Sequence, residues 1–240
     1  MPILPGSPPV EITLRRSART RRFSLRVSRL DGRVTLSMPQ RARESEALRF
    51  AAEQEGWIRQ TLAQMPARRA IGLGDAIPVE GTMRRLVPGS GRVVRLEADT
   101  LLVPGDPAQA GARVGAFLKV MARERLAAAC DHYAARLGLP YSRLTLRDTR
   151  SRWGSCAQDG ALMFSWRLVM APPSVLAYVA AHEVAHLAEM NHSPDFWAVV
   201  DRLYPRWQAQ RRWLHAEGAA LHGYSFGAQG CADRQDADKD

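Results

Sequence analysis

Two histidines four residues apart in an apolar stretch constrain this chain more than any other feature. The segment from Val175 to Leu187 is the most apolar run of the sequence, yet it contains His182, Glu183 and His186. Positions four apart lie on one face of an α-helix, one turn apart, so the two imidazoles can converge on a single ion. Glu183 projects at an adjacent angle, where its carboxylate can reach a water molecule on that ion without binding the ion itself. The segment therefore predicts a metal-binding helix.

The third protein ligand of such a site must come from outside this helix. A catalytic zinc ion is tetrahedral and keeps one position for water, so it needs three protein ligands. His192, six residues after His186, is the best candidate, because Asn191 tolerates the left-handed backbone of a chain reversal. The carboxylates of Glu189 and Glu217 are the fallback ligands. We expect one Zn²⁺ ion per chain.

The rest of the chain mixes strand-like and helix-like patterns. Alternating apolar residues up to Pro39 predict strands, with a hairpin turn at Asp31-Gly32. Helical spacing of apolar residues predicts five helices, over residues 44–65, 107–137, 172–190, 193–205 and 206–217. Short strands are predicted within residues 72–105 and at residues 144–146 and 162–166, the last two joined by a loop over 150–156 and a turn at 158–160.

The same patterns predict three regions. Residues 10–105 form a β-rich N-terminal region with one helix, and residues 106–222 form the region that contains the histidines. Residues 223–240 form a tail that is small, polar or charged after about Tyr224, so we expect it to be disordered.

Arginine dominates the charge, and its densest cluster lies near the N-terminus. The formal net charge is +10 at pH 7, and only two residues are lysines. Ten arginines lie between Arg15 and Arg43. Because guanidinium groups bind phosphate well, this arginine-rich hairpin could contact nucleic acid. The candidate contacts include Arg15, Arg16, Arg19, Arg21 and Arg22. The alternative is a solvated surface without a partner, since a high pI indicates only non-specific attraction.

Nothing in the sequence indicates a membrane segment or an exported protein. No stretch approaches the roughly 20 uninterrupted apolar residues that span a bilayer, and prolines stand where a signal peptide would have basic and apolar regions. Cys130, Cys156 and Cys231 form no CxxC pair, which argues against a disulfide framework and against a thiolate zinc site. We expect a cytoplasmic protein.

Several short motifs surround the histidines in a characteristic order. They are LRDTRSRWGSC over residues 146–156, FSWRL over 164–168, AP at 171–172, YV at 178–179, NHS over 191–193 and FW at 196–197. This order resembles the YgjP-like metallopeptidase family, which is related to the SprT-type zincins, over roughly residues 12–222. The resemblance implies an α+β fold with a zincin-like core, in which an antiparallel or mixed sheet lies over the HExxH helix. It also implies His182, His186 and His192 as ligands and Glu183 as the catalytic glutamate.

Hydrolysis of a peptide bond is the leading hypothesis. Zinc would activate a water molecule, Glu183 would act as general base, and Tyr178 and Arg152 are candidate contacts to the transition state or the substrate. An edge strand within residues 144–168 could hold an extended peptide by strand addition.

Two other functions remain open from the sequence. Four arginines flank the predicted strands and could clamp the phosphates of a nucleotide during metal-dependent phosphoanhydride hydrolysis; they are Arg147, Arg150, Arg152 and Arg167. The third hypothesis is a basic nucleic-acid-binding protein in which zinc is only structural. Structural zinc takes four protein ligands, and the sequence offers no obvious fourth.

Overall fold

The chain folds into two compact units. A computed structural model describes residues 2–28, 32–63 and 69–227. The first unit comprises Met1–Ala67 and the second comprises Arg68–Asp240. Both units combine helices and strands, so the predicted α+β class is confirmed.

The first unit is a four-stranded sheet with two helices on one face. Its elements are β1 (Ile3–Leu4), β2 (Val10–Ser17), β3 (Ser24–Val27), β4 (Val34–Pro39), α1 (Glu44–Glu53) and α2 (Glu55–Ala63). The strand order is β1-β2-β4-β3, with β2 parallel and β3 antiparallel to β4. Alternate strand residues such as Ile12, Val34 and Leu36 are fully buried together with Ala47 of α1 and Ile58 of α2. Because side chains alternate between the two faces of a strand, the apolar residue at every second position places one face of the sheet in the core.

Two predictions in this unit differ from the structure or fall partly outside it. The single helix predicted over residues 44–65 is two helices, because Gln54 leaves the helical conformation at φ −100° and ψ 10°. The strands on either side of the predicted hairpin turn do pair antiparallel. Asp31 of that turn lies outside the described residues.

The second unit contains the remaining elements. Its strands are β5 (Arg69–Ala70), β6 (Ala76–Val79), β7 (Thr82–Gly89), β8 (Arg95–Leu96), β9 (Thr100–Pro104), β10 (Arg143–Arg147), β11 (Gly154–Cys156), β12 (Ala161–Ser165) and β13 (Tyr224–Ser225). Its α-helices are α3 (Ala110–Leu137), α4 (Pro173–Ala185), α5 (Pro194–Leu203) and α6 (Gln208–Glu217). The strands form sheets of order β6-β7-β9-β8, β10-β12-β11 and β13-β5.

The boundary between the units lies near residue 68, whereas the sequence patterns put it at residue 105. Leu86 and Leu101 of the β6–β9 sheet are buried in the same hydrophobic core as Val114 and Leu118 of α3. Because these strands bury their apolar side chains against the helices, they belong to the second unit. The long helix predicted over residues 107–137 is present, and Gly138 ends it in a left-handed conformation at φ 77°.

The segment predicted as a loop over residues 150–156 contains an edge strand. β11 pairs antiparallel with β12, which pairs parallel with β10 on its other side. Gly-Ser-Cys has little strand propensity, so tertiary pairing with β12 decides its conformation.

The end of the chain is only partly described. Tyr224 and Ser225, the first residues of the predicted disordered tail after Gly223, pair with β5 as β13. Residues 228–240 lie outside the described residues. Within the described part of the chain, no helix combines the length and the apolar character that a membrane span requires.

Arg167 connects three segments of the second unit. Its guanidinium donates to both carboxylate oxygens of Asp148, at 2.6 and 2.9 Å, and to the carbonyl oxygens of Leu221 and Tyr224, at 2.8 and 2.9 Å. It also lies 4.7 Å from the ring centroid of Trp166. The described partners of the Arg167 guanidinium are therefore structural groups of the second unit, and we infer that Arg167 stabilises the fold.

We predict that Arg167→Met lowers the free energy of unfolding by about 2–4 kcal/mol, because it leaves a carboxylate and buried carbonyl oxygens without their donor. The matched control is Arg143→Met, whose ion pair with Asp159 is exposed on both sides and should contribute less than about 1 kcal/mol. Urea unfolding followed by circular dichroism measures both. Equal losses in the two variants would contradict this role for Arg167.

Candidate metal centre

Helix α4 delivers two histidines and a glutamate from its last turns. The helix begins at Pro173, whose missing N–H and fixed φ suit a first helical position. The residues of α4 are almost all apolar, and most of them are buried. Its last turn and the C-cap residue therefore bring Glu183 and His186 into the interior, at 6% and 8% exposure. His182, one turn before His186, is partly buried.

The start of α5 places the third histidine. Ser193 caps that helix, since its hydroxyl oxygen accepts a hydrogen bond from the N–H of Phe196 at 3.3 Å. The N–H of Ser193 in turn donates to the carbonyl oxygen of Asn191 at 2.8 Å. His192 lies between these two residues, so the turn and the helix cap fix its backbone together.

The three imidazoles lie close together. Nε2 of His182 and Nε2 of His192 are 3.2 Å apart. Two nitrogens bound to one tetrahedral zinc ion at about 2.05 Å would be about 3.3 Å apart. One nitrogen from each of His182, His186 and His192 lies within 4.8 Å of the others. The donor set and the spacing of His182 and His192 therefore fit Zn²⁺.

A backbone contact orients His186 within this group. Its Nδ1 lies 2.9 Å from the carbonyl oxygen of Glu189. If Nδ1 carries the proton, it donates to that oxygen and leaves Nε2 as the ligand atom, an arrangement typical of metal-binding histidines. Glu189, a fallback ligand from the sequence, contributes its backbone here. The other fallback, Glu217, is exposed at the end of α6.

Burial favours the neutral form of the histidines. It lowers the pKa of His182 to about 3, with smaller contributions from the charges of His186, His192 and Arg211. Burial also lowers the pKa of His186, partly opposed by its hydrogen bond to the Glu189 carbonyl. Only neutral imidazole can bind a metal ion, so the environment selects the binding form.

Glu183 is buried against the backbone of the edge strand β11. A Cβ atom added to Gly154 would lie 2.6 Å from both Cγ and Oε1 of Glu183. A side chain on residue 154 would therefore displace the Glu183 side chain, and glycine permits this close approach. Burial raises the pKa of Glu183 to about 8, and the charge of Arg152 opposes that shift. Gly154 was not among the predicted site residues, because the sequence predicts its segment as a loop and no local signal indicates that its backbone approaches Glu183.

A cavity of about 230 Å³ opens beside Glu183. Its walls are mostly apolar, and they are formed by Trp153, Gly154, Tyr178, Val179, His182, Glu183, Arg211, Leu214 and His215. The contribution of α6 was not predicted, because nothing in its sequence indicates which distant element its face contacts.

Stacked aromatic rings support the α6 side of this cavity. Trp207 stacks on Tyr178 and on Trp197, with ring centroids 6.1 and 4.4 Å apart. The guanidinium of Arg211 lies 5.2 Å from the Trp197 ring and 5.8 Å from the Trp207 ring. These cation–π contacts hold a positive charge at the cavity.

The remaining residues that the sequence suggested for substrate, phosphate or nucleic-acid contacts lie in different parts of the structure. Tyr178 is buried with its ring 5.9 Å from that of His182, and Arg152 is exposed but within electrostatic reach of Glu183. Of the four arginines considered for phosphate binding, Arg167 is buried with its guanidinium engaged by Asp148 and backbone carbonyls. The arginines considered for nucleic-acid binding belong to the first unit, where they are exposed.

Comparison with known proteins points to a metallopeptidase domain. The family model described as "YgjP-like, metallopeptidase domain" matches residues 21–217. A solved structure, titled as the metallopeptidase zymogen abylysin of Pyrococcus abyssi, is similar with a TM-score of 0.36 and 19% identity, over 39% of this chain and 95% of that chain. No curated protein is similar enough to match the chain.

We predict that purified protein contains about one zinc ion per chain and that His192→Ala reduces this to below about 0.2, because a three-ligand site cannot lose a ligand without a large loss of affinity. Elemental analysis after dialysis measures the content. Glu183→Gln should retain zinc, as should His132→Ala, which alters an exposed histidine on α3. Full zinc content in His192→Ala would show that another residue is the third ligand.

Proposed function

Because the chain belongs to the YgjP-like metallopeptidase family, we propose that it is a zinc-dependent peptidase, with His182, His186 and His192 as zinc ligands and Glu183 as general base. The observation that carries the proposal is the placement of Glu183, which directly follows His182 in the sequence, precedes His186 by three residues and lines the same cavity as His182.

We further propose that α4 and the β10–β12 sheet form a zincin-like core. In support of this, α4 contacts β11, and the backbone of β11 at Gly154 approaches Glu183 so closely that an added Cβ atom would collide with the Glu183 side chain. The sheet edge and the proposed catalytic carboxylate are therefore direct neighbours.

The chemistry of the site follows from these residues. A zinc ion held by the three imidazoles would lower the pKa of a bound water molecule towards neutrality and would polarise a carbonyl group. Glu183 accepts the proton of the attacking water and delivers it to the leaving amine. In the metal-free protein, burial raises the pKa of this carboxyl group to about 8. A bound zinc ion would stabilise the carboxylate, which is the form that can accept the proton. Tyr178 and Arg152 are our candidates for contacts to the transition state or substrate.

The substrate that fits this site is an extended peptide. β11 lies at the edge of its sheet, so its outer backbone groups can pair with a peptide strand. An added strand would run beside Glu183, and a side chain next to the scissile bond would enter the cavity formed by Trp153, Val179 and Leu214. The apolar walls favour an apolar side chain there.

No observation favours the two alternative functions over this one. The phosphate clamp loses Arg167, whose guanidinium is already engaged. Phosphoanhydride hydrolysis usually employs magnesium or manganese with carboxylate ligands, whereas this donor set is imidazole. A purely structural zinc would need a fourth protein ligand, and among the described residues the cluster contains three histidines.

We predict that Glu183→Gln lowers kcat for peptide hydrolysis by about 10²- to 10⁴-fold while zinc remains bound, because the amide cannot accept the proton. Cleavage of a fluorescently labelled unfolded protein, followed by mass spectrometry of the products, provides the measurement. His132→Ala serves as a control with unchanged activity. A fully active Glu183→Gln enzyme would contradict the mechanism, and phosphate release from nucleoside triphosphates that His186→Ala abolishes would favour the nucleotide alternative.

We also predict that Leu214→Trp changes the side-chain preference. The larger ring would occupy the cavity, so kcat/KM for peptides with a bulky apolar residue beside the scissile bond should fall about tenfold or more relative to peptides with alanine there. Ala209→Trp, on an exposed position of the same helix, should leave this ratio unchanged. Peptide libraries analysed by mass spectrometry give the ratio, and an unaltered preference in Leu214→Trp would exclude this cavity as a substrate subsite.

A further inference from the structure

One face of the sheet in the first unit is polar and remains uncovered by the unit's own helices. The residues that alternate with the buried ones on the three longer strands form this outer face. They are Glu11, Thr13, Arg15 and Ser17 on β2, Ser24 and Arg26 on β3, and Thr35, Ser37 and Pro39 on β4. Arg15 and Arg26 are exposed, and none of these residues is aromatic.

The loop between β2 and β3 extends this face with three further exposed arginines. The loop runs from Ser17 to Ser24 and contains Arg19, Arg21 and Arg22. Ser37 of β4 pairs with Arg15 on one side and with Ser24 on the other, so the loop joins two strands at the same level of the outer face. The exposed arginines of the outer face and its loop, here called the arginine face, are Arg15, Arg19, Arg21, Arg22 and Arg26. None of the five forms an ion pair within the described part of the chain.

Arg16 differs from these five residues. It follows the parity of the inward-facing residues, and its guanidinium donates to the carbonyl oxygens of Gln40 and Ala42 at 3.1 and 2.8 Å. Although the sequence predicted it as a nucleic-acid contact, its described hydrogen bonds secure the end of the sheet.

The charges of the first unit are segregated. Residues 1–43 contain ten arginines and two acidic residues. The remaining acidic residues of the unit lie on α1 and α2, which pack on the opposite face of the sheet. There Glu53 pairs with Arg49, and Glu55 pairs with Arg59. On the outer face, the described strands carry one exposed carboxylate, Glu11, against the five exposed arginines, so the arginine face keeps a net positive charge.

The spacing of the arginines fits an extended polyanion better than a single phosphate. Arg15 and Arg26 lie on the two strands that flank β4, and strands two positions apart are separated by about 10 Å. The two guanidinium groups are thus placed for different phosphates. Serine and threonine hydroxyls between them can donate to further phosphate oxygens.

We propose that the arginine face binds the phosphate backbone of double-stranded nucleic acid without sequence preference. Single strands are usually held by bases stacked on aromatic side chains, and the outer face offers none. Contacts to phosphates alone carry no sequence information. The binding uses the first unit and is independent of the proposed peptidase activity.

The test is fluorescence anisotropy of a labelled 20-base-pair DNA duplex of arbitrary sequence with the full-length protein. Between 50 and 200 mM salt, the affinity should fall about 10²- to 10³-fold if about five phosphates are contacted. Replacing Arg15, Arg21, Arg22 and Arg26 together by glutamine should weaken binding at least about tenfold and reduce the slope of log affinity against log salt by about 3–4.

Two matched variants separate a specific face from diffuse charge. The control variant replaces four exposed arginines of the second unit by glutamine, namely Arg85, Arg92, Arg95 and Arg202. It and the quadruple glutamine variant of the arginine face both have a net charge of +6, four less than the +10 of the wild type. The control should lose less than about threefold in affinity. Lysine at the four positions of the arginine face keeps the charge and should restore most of the binding, provided circular dichroism shows an unchanged fold in each variant.

Four outcomes would overturn the proposal. They are no binding by the wild type at 50 mM salt, equal losses in the two glutamine variants, an affinity that does not depend on salt, and preference for single-stranded DNA or for anionic phospholipid vesicles over the duplex.

Discussion

The contact between Gly154 and Glu183 is the constraint on which the proposed active site depends. The carboxylate is buried where the strand beside it lacks a side chain, and a Cβ atom there would force the Glu183 side chain to shift. That contact fixes the distance between α4 and β11, and β12 in turn holds β11 through antiparallel pairing. The same burial raises the pKa of Glu183 to about 8. Geometry and proton affinity therefore have one origin, the close packing of a helix against a sheet edge.

The candidate metal centre joins local order on one helix with a turn that leads into the next. The spacing of His182 and His186 follows from the helical repeat alone. His192 depends on a chain reversal and on the Ser193 cap, which begin a new helix immediately after it. Phe196 from the first turn of that helix stacks on His186 with ring centroids 4.4 Å apart, so α5 both positions one ligand and covers another.

Local signals in the sequence predicted much of this arrangement, and long-range packing accounts for what they missed. Single residues determine three of the helix ends: Pro173 starts α4, Ser193 caps α5 and Gly138 ends α3. Strand β11 was missed because its conformation depends on pairing with β12 and not on its own propensity. The boundary near residue 68 was missed because the β6–β9 strands resemble those of the first unit in pattern, and only their shared core with α3 distinguishes them. Arg211 and Leu214 were missed for the same reason, because only tertiary packing places α6 beside the cavity.

The charges around the histidines imply that metal and proton compete for this site. Without a cation, burial raises the pKa of Glu183 to about 8 and so favours its protonated carboxyl group. Burial is also the main reason that the pKa of His182 is lowered, with smaller contributions from the charges of His186, His192 and Arg211. A divalent ion among the histidines would reverse the balance at Glu183, because a nearby positive charge stabilises the carboxylate. Binding of the ion at neutral pH should therefore release a proton from the residue that we propose as the base. The buried carboxyl group would then become an active base only in the metal-loaded protein, which couples the protonation state of Glu183 to the occupancy of the three histidines.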